Sequence, residues 1–275
     1  MKMEGQTMTG NLSDVMKLVD PEQVTDERVR QIFEQLRQGF GKVLPAYRAK
    51  GLVDDPEWMG AYHSLIMNKF TPRNLDMKTL MLIEFGADVA ARWEYCIVGA
   101  YQMCLAAAGI TPEEVGKTIK LVCAMTGMSY LEAGFDVFSP EKRDQADFRR
   151  VLEPEEVTDG RIREMYEEVR GFFGMVPEIY RVKGLVDDPE WLHVFHSALM
   201  IYTRPEVLDL KTMHLICIVV LSVLQNRHAV QRHIDAALNA GAKPVEISEA
   251  IRGCYVNAAV YGTSAGFGIF GYPKE

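Results

Sequence analysis

Apolar residues return every three or four positions through most of the chain, and no stretch sustains the strict alternation of a half-buried strand. The pattern predicts an all-α protein. Capping residues mark where helices begin. Thr25-Asp26 and Thr158-Asp159 precede amphipathic segments, Asp54-Asp55-Pro56 and Asp187-Asp188-Pro189 set proline in a first turn, and Asp76 and Asp209 open a further helix. Gly109 and Gly241 then close a helix, and Thr111-Pro112 and Lys243-Pro244 begin the next. About six helices per half are expected.

The signals come in pairs because the chain is duplicated. Gly51-Leu-Val-Asp-Asp-Pro-Glu-Trp58 recurs unchanged as Gly184-Leu-Val-Asp-Asp-Pro-Glu-Trp191, 133 residues later, and Leu75-Asp-Met-Lys-Thr79 is followed at the same offset by Leu208-Asp-Leu-Lys-Thr212. From Gly109 to Phe138 the offset is 132, so the first copy carries one extra residue between Lys78 and Gly109. The expected organisation is an extension over 1–20, a first repeat over 21–138, a linker over 139–152 and a second repeat over 153–270. Each repeat is expected to cover an apolar helix face of the other.

Composition narrows the function classes. Of 275 residues 48% are hydrophobic and 25% charged, enough for a sizeable core. Lys+Arg 30 against Asp+Glu 38 gives a net charge of -8 without a basic cluster, which speaks against a nucleic-acid partner. The longest apolar run, Leu215 to Leu224, is about half of the ~20 residues a membrane span needs, and the start lacks the apolar core of a secretory signal. Five cysteines without metal-type or redox-type spacing fit a reducing, cytoplasmic setting and no membrane partner.

Candidate chemistry concentrates in the second copy, at His214, Cys217, Asn226, His228 and His233. His214 sits in a segment apolar nearly all round and is expected to be buried. A wheel drawn at about 100° per residue puts Val230, Ile234, Ala237 and Leu238 on the core stripe, with His228, Arg232, Asp235 and Asn239 opposite. His233 falls between, on a face with Ala229, Ala236 and Ala240 that leaves room for a small molecule. Asn226 stands where a helix should begin, so a capping role is open to it.

Thr212 to Gly241 resembles the alkylhydroperoxidase-D-like, carboxymuconolactone decarboxylase superfamily, whose redox members carry Glu, then Cys-x-x-Cys-x-x-x-His, then a closing Gly. His233 matches the family histidine, Asn226 and Ala229 stand at the cysteine positions, His228 at an accessory histidine position and His214 at the glutamate. In the first copy the same count gives Met81, Trp93, Cys96 and Ala100. The ending Val260 to Phe267 is similar to the family as well. The resemblance implies two tandem helical repeats packed pseudo-symmetrically, the second repeat carrying the site and the first serving as scaffold or wall. It also implies a homo-oligomer, trimer or dimer. Without the cysteine pair, thiol peroxidase chemistry is disfavoured, although Cys96 with Cys104 or Cys217 keeps that alternative open.

The expected function is proton transfer on a small carboxylated or carbonyl substrate, with His233 as general acid/base near its ordinary pKa and His214 orienting it. Arg227 and Arg232 are candidates for holding a carboxylate, with Asn226, His228 and His196 as further substrate contacts. His196 also repeats as His63 within Glu-Trp-x-x-x-x-His-Ser, which fits a structural element. Tyr47-Arg48 and Tyr180-Arg181 repeat too, and Trp58 and Trp191 are expected to anchor the core. No cofactor is expected; a metal held by His193, His196 and His214 is the weaker alternative, and a non-catalytic ligand-binding or scaffold protein is the third reading.

Overall fold

A computed structural model describes residues 14, 16–69, 71–93, 97, 107–138 and 141–266. Among them the structure is helical, and extended pairing is limited to two isolated bridges, Leu18 with Ala49 and Val151 with Val182. The longer helices are α1 (Glu27–Phe40), α2 (Pro56–Lys69), α3 (Met77–Ala90), α4 (Pro112–Asp136), α5 (Arg143–Arg149), α6 (Gly160–Phe173), α7 (Pro189–Thr203), α8 (Leu210–Val223), α9 (Arg227–Asn239) and α10 (Pro244–Gly266). None of the described helices is long and apolar enough to cross a membrane.

The duplicated capping signals act as duplicated caps. Asp26 and Asp159 accept from the backbone N–H groups of the first turns of α1 and α6, and Asp76 and Asp209 do so for α3 and α8 at 2.8 and 2.9 Å. Gly41 and Gly174 end α1 and α6 in the left-handed region, each with φ of 72°. Arg92 (φ 56°) and Gln225 (φ 59°), 133 positions apart, take that conformation although neither is glycine. Gly109 (φ 61°) and Gly241 (φ 91°) take it 132 apart, so the extra residue of the first copy lies between Arg92 and Gly109.

The chain divides into two compact units that cut across the duplication. One comprises residues up to Thr71 with Val256 onward. Its core gathers Val29, Phe33, Leu36, Leu52, Met59 and Val256. The other runs from Pro72 to Tyr255 and is organised around α8, whose residues Thr212 to Leu221 are all buried, as are Thr79 to Asp88 of α3. These helices lack a polar face, so each needs neighbours all round. Helix α8 finds them in α3 and α4 from the first repeat and in α9 from the second.

The duplicated octet packs differently from the sequence expectation. Trp58 and Trp191 are 42% and 41% exposed rather than core anchors, and Trp191 stacks on Phe195 with ring centroids 5.5 Å apart. The adjacent Met59 and Leu192 take the inward position at 0% exposure. Gly184 is under a tight steric constraint: a Cβ there would stand 2.7 Å from the Phe148 ring and 2.9 Å from that of Phe135.

Candidate functional site

Helix α9 lies on α8 through Ala229, His233, Ala236 and Ala237. Of the stripe Val230, Ile234, Ala237 and Leu238 that the wheel placed inward, Ala237 is buried, while Val230 and Ile234 are half-buried and Leu238 is 41% exposed. Small side chains let two helices approach closely, so the alanine face rather than the bulkier aliphatic face meets α8.

That contact encloses the two central histidines. His214 and His233 are 2% and 1% exposed, and their Nδ1 atoms are 3.0 Å apart. Phe172 and Phe173, at the end of α6, complete the wall: the Phe172 ring centroid is 4.6 Å from that of His214, and Phe173's is 5.4 Å from that of His233. The Phe172 backbone carbonyl also accepts from the His214 ring. Across the contact between the two histidines one Nδ1 donates a proton and the other accepts it.

Burial disfavours the imidazolium form of both. It lowers His214 to about 4, opposed in part by the Phe172 carbonyl. Burial likewise holds His233 well below its ordinary value, helped by the neighbouring His214 and by the positive charge of Arg232. The expectation of a catalytic His233 titrating near neutral pH, beside space for a small molecule, is therefore not what this geometry offers. The alanine face contacts a helix, and the ring is packed against phenylalanines.

An open cleft lies instead at the start of α9. It has a volume of about 660 Å³, and Asn226, Arg227, His228 and Arg232 line it together with Gln225. Ser129, Glu132 and Asp136 of α4 form another part of the lining. The second-repeat motif region thus meets the last helix of the first repeat. Glu132 binds Arg232, with Oε1 2.7 Å from Nη2, and accepts from Asn226 Nδ2 on its other oxygen. Asn226 Nδ2 also donates to Ser129 Oγ at 3.0 Å, while its Oδ1 caps α9 through the Ala229 N–H at 3.1 Å. Asn226 thus ties the start of α9 to α4 through Nδ2 and caps α9 through Oδ1. Arg227 and His228 are exposed at the mouth. Sequence reading missed Ser129, Glu132, Asp136, Arg149 and Glu178 in this lining. The 132-residue offset that carries Gly109 to Phe138 into the second copy was the nearest available signal.

The other sequence candidates lie elsewhere. His196 is 4% exposed and both its ring nitrogens are engaged, Nδ1 with the Tyr180 hydroxyl at 3.2 Å and Nε2 with Glu168 at 3.0 Å. His63 repeats this with Tyr47 at 3.2 Å and Gln35 at 2.7 Å. The repeated histidine ties helices together and is absent from the cleft lining. Arg48 and Arg181 are likewise bound to the carbonyls of Val19 and Leu152. His193 is exposed, and no group of three metal-ligating side chains forms among the described residues, so His193, His196 and His214 are not brought together.

Cys217 is buried, and burial pushes its thiol pKa far up, while Cys123 is exposed. Cys96, Ala100 and Cys104 lie outside the described residues. Met81 and Trp93 are buried at 4% and 6%.

The profile of the carboxymuconolactone decarboxylase family matches residues 56–139 and 189–270, once in each copy. A solved Burkholderia xenovorans chain, provisionally described as a gamma-carboxymuconolactone decarboxylase subunit, has the same fold at a TM-score of 0.66. It is 20% identical, with 90% of this chain and 96% of that one covered. No curated protein matches the sequence. With the profile matched twice over most of a duplicated helical chain, the protein belongs to the carboxymuconolactone decarboxylase family.

Proposed function

We propose that the protein is an enzyme of this family that transfers a proton on a small carboxylated or carbonyl compound in the cleft at the start of α9. The observation carrying this reading is that His228 is the imidazole lining a cleft of about 660 Å³, whereas His233 is enclosed. That volume suits a small metabolite. Imidazole can both take and give a proton, and Arg227 beside it supplies positive charge for a carboxylate. In the step envisaged, His228 removes a proton from the carbon beside the carbonyl and the bonding electron pair passes to the carbonyl oxygen as an enolate. The proton then returns to carbon. The same enolate arises when a carboxyl group leaves as CO2, and protonated His228 would then supply the proton.

The buried histidine pair supports this chemistry from below by fixing α9 on α8. The test is turnover of small carboxylated lactones and oxo acids, followed as CO2 release and as deuterium incorporation from D2O. His228→Ala should lower the rate by ~10²–10⁴ without loss of folding. Turnover undiminished in that variant, or absent in the parent across the panel, would remove the proposal.

A further inference from the structure

The cleft's cations and anions are unequally committed. Arg232 is paired with Glu132, and both are largely shielded, at 12% and 19% side-chain exposure. Arg149 is paired with Asp136 at 3.0 Å. Among the described residues this leaves one guanidinium, Arg227, and one carboxylate, Glu178, that line the cleft without an ion-pair partner. A ligand therefore meets one available positive charge, while a second carboxylate meets the unneutralised charge of Glu178 or two guanidiniums whose charge is already balanced.

We infer that the cleft selects a monocarboxylate whose remaining polar groups are neutral, such as an oxo acid or a carboxylated lactone with a single acid group, and discriminates against dicarboxylates. The inference rests on the cleft being the substrate site. It adds that Arg227 keeps the one carboxylate at the mouth, so the proton transfer takes place at the neutral carbonyl end, the held carboxylate stays in the product, and of the two steps above the enolisation without loss of CO2 is the one such a substrate undergoes. Glu178 is a specificity determinant by repulsion, the element that discrimination between similar ligands commonly requires.

Levulinate and 2-oxoglutarate form a suitable pair of probes, since the second carries a carboxylate where the first carries a methyl group on the ketone. Their dissociation constants are measured with the full chain by NMR titration, with the shifts mapped onto the cleft, at low and at moderate salt. Levulinate is expected to bind about tenfold more tightly. Arg227→Gln should abolish the binding of levulinate, and Glu178→Gln should narrow the difference by improving 2-oxoglutarate alone. Both residues are exposed, so neither change threatens the fold. Equal or tighter binding of 2-oxoglutarate to the parent protein, or a difference unmoved by Glu178→Gln, overturns the inference and leaves the cleft as the site. Absence of cleft shifts with either probe at millimolar concentration removes the cleft reading itself, and this inference with it.

Discussion

Nδ1 of His214 faces Nδ1 of His233 at 3.0 Å, inside a wall made by Phe172 and Phe173. One nitrogen must bring a proton and the other a lone pair, so the contact cannot survive protonation of both rings, and burial disfavours charging either one. In the unfolded chain both rings take up protons near the ordinary 6.5, whereas His214 in the fold waits until about 4. Between those values the unfolded state binds more protons, and stability falls as pH falls. The loss should be fully developed near pH 4, on the order of 3 kcal/mol for His214 alone. Denaturant unfolding from pH 7.5 to 4.5 measures it, and His214→Gln should flatten the slope between pH 6.5 and 5.

The same contact reverses the usual expectation for a proton-transfer histidine. His233→Ala should cost about 2–4 kcal/mol, because it opens a cavity among phenylalanines and strips His214 of its partner. His228→Ala, at an exposed position, should change stability by less than about 0.5 kcal/mol. Chemical denaturation of the two variants side by side checks this, and a stable His233→Ala protein would contradict the enclosed geometry.

Gly184 tests the packing of the duplicated octet. Its substitution by alanine drives a methyl group into the rings of Phe148 and Phe135 and close to the Phe148 carbonyl oxygen at 3.2 Å. A loss of about 1–3 kcal/mol is expected from such overpacking. Gly160→Ala, where nothing lies within 4 Å, is the control for the backbone effect of replacing glycine.

The repeated tyrosine–histidine pair offers a comparison inside one molecule. His63 is bonded to the neutral Gln35, and burial lowers its pKa; His196 has a carboxylate, Glu168, at the matching position. Gln35→Glu should raise the pKa of His63, because an adjacent carboxylate favours the charged ring. Titration of the histidine ring resonances by NMR reads the shift, and a His63 pKa that stays or falls would show that the bond is not made.

Much of the architecture was legible in the sequence because its causes are local. Asp26, Asp76, Asp159 and Asp209 cap helices within three residues of themselves, Pro56 and Pro189 preset a first turn, and the 133-residue offset carries each signal from one copy to the other. Family membership followed from the same stretch of chain. Which face of α9 turns inward was decided only in three dimensions. The wheel ranked Val230, Ile234, Ala237 and Leu238 inward, but only Ala237 of these is buried, and the close approach of α8 added Ala229 and Ala236 and closed His233 in with them. The cleft was still further from view, since Glu132 reaches Asn226 across 94 positions and Arg232 across 100, from the other repeat. Capping and periodicity act over a few residues, whereas enclosure and charge pairing depend on what the whole fold brings alongside.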